Sequence, residues 1–174
     1  MIKEYPELKI TILKTSSNGG PAIARNKGLE YVLKHDFKYL MFLDADDAFY
    51  SHHSIAALYN YALADDLICS RFLIEHEQGN CEWREDRDIW LFGKIYNITV
   101  IRKNNIHFPP ISQNEDVAFN MWYWICCNSY KIINDITYIW KYSPNSITRH
   151  DSCSYSTFHQ NGLYKNLEYV FGRI

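Results

Sequence analysis

Asp44-Ala45-Asp46-Asp47 sets three carboxylates directly behind the apolar run Tyr39-Leu40-Met41-Phe42-Leu43. Carboxylates this close raise each other's proton affinity unless a cation offsets their charge, which makes the cluster a candidate divalent-ion site. A hard ion such as Mn²⁺ or Mg²⁺, held by one or two carboxylates and completed by the oxygens of a diphosphate, fits that donor set. Alone, an acidic cluster behind a strand is more often a solvated turn or a helix cap. Glu115-Asp116 supplies a second group, since a carboxylate within reach of a hydroxyl can take its proton. Acids at a helix start are also ordinary, favoured there by the macrodipole. Arg25 is the third, in the first turns of a helix behind the Gly-rich Asn18-Gly19-Gly20. Backbone donors at such a helix start and a bidentate guanidinium both suit a phosphate.

The elements that must position these groups follow from periodicity. Leu8 to Leu13 alternates loosely and reads as a strand, and Asn18-Gly19-Gly20-Pro21 turns the chain. Ala22, Leu29, Val32 and Leu33 share one face of a helix. The run Tyr39 to Leu43 reads as a buried strand that delivers the acids to its carboxyl end, where open α/β sheets bind ligands. A helix starts near Ser54 as N-cap and carries Ile55, Leu58 and Leu63. Leu67 to His76 and Cys81 to Trp83 flank Glu77-Gln78-Gly79-Asn80 as a hairpin. Ile95 to Ile101, rich in β-branched residues, reads as a strand. Pro109-Pro110 breaks the chain before a helix with Val117, Met121, Trp124 and Ile125 on one side. Lys131 to Tyr142 returns to strand, and Leu163, Leu167, Val170 and Phe171 mark a last helix. The order is βαβα followed by mixed strands and helices, an α/β domain with a partly antiparallel second half.

Composition narrows the function classes. The 174 residues allow one domain, and 47% hydrophobic content with 16% aromatics describes a globular chain. A net charge of -2 gives no electrostatic case for nucleic acid. The five cysteines are odd in number and lack CxxC spacing, against a zinc site or a disulfide framework, so reduced thiols and a cytoplasmic setting are expected. No segment nears the roughly 20 apolar residues of a membrane span, which leaves peripheral association with the inner face of a membrane open.

Taken in order, Asn18-Gly19-Gly20 with Ala24-Arg25-Asn26-Lys27-Gly28-Leu29, then Asp44-Ala45-Asp46-Asp47, then Asn114-Glu115-Asp116-Val117-Ala118-Phe119 resembles the family 2 glycosyltransferases. Gly93-Lys94-Ile95-Tyr96 looks like that family's segment before the acceptor site, and Ser146-Ile147-Thr148 resembles its usual ending. The resemblance implies the GT-A fold, a Rossmann-like mixed central sheet flanked by helices. It implies an inverting transfer of sugar from a nucleotide-sugar donor, UDP-linked, to a hydroxyl on a saccharide or lipid-linked acceptor, with Mn²⁺ or Mg²⁺. Asp44 and Asp46 match the metal-binding Asp-x-Asp motif, and Asp47 orients the loop or caps the next helix. Asp116 matches the catalytic base with Glu115 beside it, and Arg25 the contact to the nucleotide or its diphosphate. Some members use a late His as a further metal ligand, which singles out His150. Trp90 is the acceptor-side choice among the tryptophans, against the ordinary reading of large aromatics as core.

One departure matters. Members ordinarily begin with a strand ending in a Pro-x-Tyr-Asn type segment, followed by a helix and a second strand that grip the nucleobase. This chain starts at what looks like the third strand, so residues 1–174 are expected to form a single GT-A-like domain incomplete at its N-terminus. A sheet edge is then left open, inviting self-association. The competing reading is a catalytically silent remnant serving as an interaction module. A phosphotransferase or nuclease would want more clustered acids for two metals, and the nuclease a basic groove as well; neither is evident.

Overall fold

The computed structural model describes residues 8–85, 90–110, 114–144, 162 and 164–173. In chain order its elements are α1 (Gly20–Leu33), β1 (Tyr39–Leu40), β2 (Ala48–Phe49), α2 (Ser54–Ala62), β3 (Leu67–Glu75), β4 (Cys81–Glu85), β5 (Lys94–Asn97), α3 (Ile98–Asn104), α4 (Glu115–Cys126) and β6 (Tyr130–Trp140). A further helical run covers 164–171. The sheet order is β1-β5-β3-β6-β2, with β4 beside β3.

β3 is the central strand because Leu67, Ile68, Cys69 and Ser70 are all buried, as expected of an unbroken apolar run covered on both faces. It runs parallel to β6, Leu67 opposite Tyr130 and Ile74 opposite Trp140. Its other side is shared: β5 pairs antiparallel with 67–69, and β4 with 71–75. The handover falls at Ser70, whose N–H and hydroxyl both donate to the Gly93 carbonyl at 2.8 and 2.9 Å. Gly93 stands at φ +65, and a Cβ there would lie 3.2 Å from the Ser70 hydroxyl. Successive β3 residues feed opposite layers. Leu67 and Cys69 pack with Ala22, Leu29, Val100, Ile101, Phe119 and Tyr123, while Ile68 joins Leu58, Ala62, Ile95 and Ile133. Helices therefore cover both faces of the sheet, and no helix among the described residues is long and apolar enough to cross a membrane.

Several expectations need correction. Residues 8–15 join no ladder, and Leu8, Ile10, Ile12 and Leu13 are exposed. Loose alternation does not make a strand where no neighbour takes its backbone groups. The run Tyr39 to Leu43 is not a buried strand: among the described residues only the two half-buried residues of β1 pair, with β5, and Leu43 is exposed. The stretch Ile95 to Ile101 splits at Asn97, whose side chain accepts the Thr99 N–H at 2.9 Å and starts α3. That cap overrides the β preference of Ile98, Thr99, Val100 and Ile101. At α2 the preceding residue is His53, and the Ser54 hydroxyl accepts instead from the Ser51 N–H at 3.0 Å.

On α4 the residues Val117, Met121, Trp124 and Ile125, read as one side of the helix, form its less buried side. Ala118, Phe119, Trp122 and Tyr123 are buried, whereas Val117, Met121 and Trp124 are half-buried and Ile125 exposed. Both sides of this helix are apolar, so periodicity alone did not select the buried one. In the last helix Asn166 and Val170 face inward, Leu167 is half-buried and Phe171 is exposed; Leu163 lies outside the described residues. The hairpin of β3 and β4 forms as expected, turning at Gly79 with φ +77.

Candidate active site

Arg25 gathers the site. Ala22 and Leu29 bury one side of α1, and the Arg25 side chain on the same helix is 20% exposed. Its Nη2 lies 3.0 Å from Asp44 Oδ1, and its Nη1 lies 2.5 Å from Glu115 Oε1. Three segments distant in sequence thus converge on one guanidinium, which also faces the Phe108 ring at 5.8 Å. Glu115 is buried while the Asp44 side chain is 46% exposed, so the pair nearer the core is the more strongly held.

Asn26, the next residue, bonds the backbone of Phe108 in both directions: its Nδ2 donates to the Phe108 carbonyl at 2.8 Å and its Oδ1 accepts the Phe108 N–H at 2.9 Å. Phe108 in turn stacks on Phe119 of α4 at 4.4 Å. The Ala24-Arg25-Asn26 segment therefore fixes both the charge and the backbone on the approach to Glu115.

The acidic loop is stapled from the opposite side by β6. The Asp44 carbonyl accepts the Asp47 N–H at 3.1 Å, closing a turn. Both Asp47 oxygens are engaged, Oδ2 by the Tyr138 hydroxyl at 2.6 Å and Oδ1 by the Lys141 N–H at 2.9 Å. The same Tyr138 oxygen accepts the Asp44 N–H at 3.3 Å. Burial pushes the Asp47 carboxyl above its ordinary range, aided by Asp46 and Asp44 and opposed by those two hydrogen bonds. Burial and the Asp47 bond push the Tyr138 phenol up, keeping it a donor. Asp46 is exposed.

Asp116 opens α4 beside Glu115. Burial, then the Glu115 charge, pushes its carboxyl up to about 6 against the pull of the Val117 N–H at 2.9 Å and of Arg25. A carboxylate poised there can hold and release a proton near neutral pH. Trp90 lies half-buried in an aromatic stack, 5.7 Å from Phe92, which is 4.6 Å from Tyr138. Its carbonyl accepts from the Lys94 ammonium and from Asn120 Nδ2, the latter at 2.9 Å. The stack thus ends on the tyrosine that holds the acidic loop. His150 lies outside the described residues, as does Ser146-Ile147-Thr148.

Of the residues singled out from the sequence, Arg25, Asp44, Glu115, Asp116 and Asp47 belong to one connected arrangement, and Trp90 joins it through Phe92 and Tyr138. Tyr138 and Asn120 were not foreseen. Tyr138 is one of 14 tyrosines, and nothing local separates it from the rest.

The family model "Glycosyl transferase family 2" matches residues 1–114. The chain belongs to glycosyl transferase family 2. Its fold is shared with crystal structures of S. aureus TarS 1-349. The complex with UDP-GlcNAc aligns at TM-score 0.74 and 17% identity over 99% of this chain and 52% of that one. The complex with UDP aligns at TM-score 0.65 and 20% identity over 82% and 47%. This chain therefore spans about half the length of those TarS chains. No curated protein sequence matches it. The mixed, helix-flanked sheet is the GT-A-type domain of this family.

The donor set for an ion can be tested on these contacts. Asp44 has one oxygen committed to Arg25, Asp46 is exposed, and Asp47 is occupied at both oxygens. Among the described residues no three His, Cys, Asp or Glu side chains converge as a metal would need. Hard carboxylate donors from Asp44 and Asp46 fit Mn²⁺ or Mg²⁺ when a diphosphate and water complete the shell. A cleft of about 500 Å³ lies against α1, lined by Lys14, Thr15, Ser16, Ile23, Asn26, Lys27 and Glu30; Arg25 and the acids named above do not line it.

Proposed function

We propose that this chain carries the reacting end of an inverting glycosyltransferase, which moves a sugar from a UDP-linked donor to a hydroxyl on a saccharide or lipid-linked acceptor. The observation that carries the reading is Arg25 joining Asp44 of the acidic loop to Glu115 beside Asp116. That contact holds the diphosphate side and the proton-accepting side of such a reaction in one frame. The TarS structures with UDP and UDP-GlcNAc support the choice of donor.

In this reading Asp116, ionised above about pH 6, takes the acceptor hydroxyl proton. The acceptor oxygen attacks the anomeric carbon from the face opposite the diphosphate, the bond to the diphosphate oxygen breaks, and the configuration inverts. Glu115 holds Arg25 in place. Asp44 and Asp46 would hold the divalent ion, which when bound supplies positive charge against the leaving diphosphate. Asp47, spent on Tyr138 and Lys141, keeps the loop in shape. Trp90 offers the edge of its aromatic stack to the acceptor.

Calorimetric titration with UDP-GlcNAc and Mn²⁺ tests the proposal. Binding that needs Mn²⁺ and is lost in Asp46→Ala is expected; no heat at millimolar ligand sinks autonomous donor binding. One observation favours the interaction-module alternative, namely that among the described residues 8–15 stays outside every ladder and β1 pairs on one side. Self-association through that edge, seen by sedimentation together with absent donor binding, would support it.

A further inference from the structure

We propose that Asn166, on the helical run 164–171, is a positioning residue that fixes the start of α4 and with it the direction of Glu115 and Asp116. Its buried side-chain amide donates through Nδ2 to the Asn114 carbonyl at 2.8 Å. The same carbonyl accepts the Ala118 N–H, the first hydrogen bond of α4, at 3.2 Å. Both lone pairs of one oxygen are thus used, one by the helix it begins and one by a side chain 52 residues away.

Asn114 needs such a hold more than an ordinary helix start does. It stands in the left-handed region at φ 57 and ψ 25, and its side chain makes no capping bond to α4. Asparagine tolerates that conformation, but tolerance does not select it from the alternatives. A second anchor at the carbonyl selects it, because rotating the Asn114 peptide would break the Asn166 and Ala118 bonds together. Glu115 and Asp116 follow at once, so the angle at Asn114 sets where both carboxylates point.

The helix bearing Asn166 is itself seated. Val170, one turn further on, is buried, the Tyr169 hydroxyl bonds His107 Nε2, and the Arg173 guanidinium lies 4.6 Å from the Tyr169 ring. Asn166 therefore acts from a fixed base and not from a loose tail. Its consequence for turnover rests on the glycosyltransferase reading above, whereas its effect on α4 does not.

The test compares Asn166→Asp with Val170→Ala by amide hydrogen exchange and by donor turnover. Asn166→Asp keeps the shape and replaces the donor with an oxygen that the Asn114 carbonyl repels. Exchange at the Ala118 amide is expected to rise about tenfold relative to the Leu67 amide in the sheet, with kcat falling about tenfold while KM for the donor stays within about twofold. Val170→Ala loosens the seat without touching Asn114, so it lowers Tm and leaves the ratio of the two exchange rates unchanged. Unchanged Ala118 exchange in Asn166→Asp overturns the proposal, as does the same rise in Val170→Ala, which would make the last helix a general stabiliser. Should the parent chain show no turnover, the transferase reading fails while the exchange ratio still decides the role of Asn166.

Discussion

Tyr138→Phe removes one oxygen and leaves the packing almost untouched, which makes it a sharp probe of the acidic loop. The ring is buried and stacks on Phe92 at 4.6 Å, and that contact survives the substitution. What goes is the donor to Asp47 Oδ2 at 2.6 Å and the acceptor for the Asp44 N–H at 3.3 Å. A hydrogen bond to a charged group contributes about 1.5–3 kcal/mol, and the half-buried Asp47 places this one near the lower end, about 2 kcal/mol. The longer Asp44 contact adds little. At about 2–4 °C per kcal/mol for a chain of this size, Tm falls by about 4–8 °C at pH 7. The sign with pH follows from the charge on Asp47. The phenol pulls the folded Asp47 carboxyl down from where burial alone would put it, so its contribution is present when Asp47 is ionised and is lost as pH falls. Thermal denaturation by circular dichroism at pH 7 and near pH 4 should therefore show the gap between parent and variant closing in acid. Equal gaps at both pH values, or no loss of Tm at pH 7, would refute the idea that this hydroxyl staples a charged loop.

Other outcomes follow from the same contacts. Arg25→Ala strands buried Glu115 without its counter-charge, costing about 3 kcal/mol in denaturant titration, and it removes a pull on Asp116 that keeps its carboxyl down. The rising limb of kcat/KM against pH should lie near 6 in the parent chain and higher in Arg25→Ala; a limb near 4 would remove Asp116 as the base. Because the folded Asp116 carboxyl lies above the 3.8 of an unfolded one, its stabilising effect is full in acid and is lost as pH rises through about 6. Asp116→Asn should thus stop turnover yet gain stability at pH 7, and a variant less stable than its parent there would contradict the burial argument. Asp46→Ala, exposed and free of structural duties among the contacts described, should lose Mn²⁺-dependent donor binding with Tm unchanged.

The local signals were good guides to turns and helix starts and poor guides to what touches each side chain. Asn18-Gly19-Gly20-Pro21 marks the start of α1, and the Gly79 turn marks the hairpin, because both are properties of a few adjacent residues. The series of Arg25, Asp44 and Glu115-Asp116 was legible as one site only through its order along the chain. That Arg25 binds both acids at once depends on a tertiary approach of residues 19 and 90 positions apart, which no spacing encodes. The same limit explains α4, where two apolar faces competed and the tertiary contacts of Phe119 with Phe108 and Tyr96 chose between them. It explains Asn97 as well, a single cap that outweighed the β-branched residues behind it.

Those long-range contacts also divide the work among the acids in a way their types do not. Asp44, Asp46 and Asp47 are the same chemical group within four residues, yet one is paired with Arg25, one is exposed and one has both oxygens bound by β6 and the residue after it. Within this loop, the Asp46 carboxylate and the second oxygen of Asp44 are the carboxylate oxygens with no contact described above. A loop with three interchangeable acids would be floppy and self-repelling. Spending Asp47 on Tyr138 and Lys141, and half of Asp44 on Arg25, opposes that repulsion at the two positions that shape the loop. The charge left over is concentrated at Asp46, where a ligand can reach it.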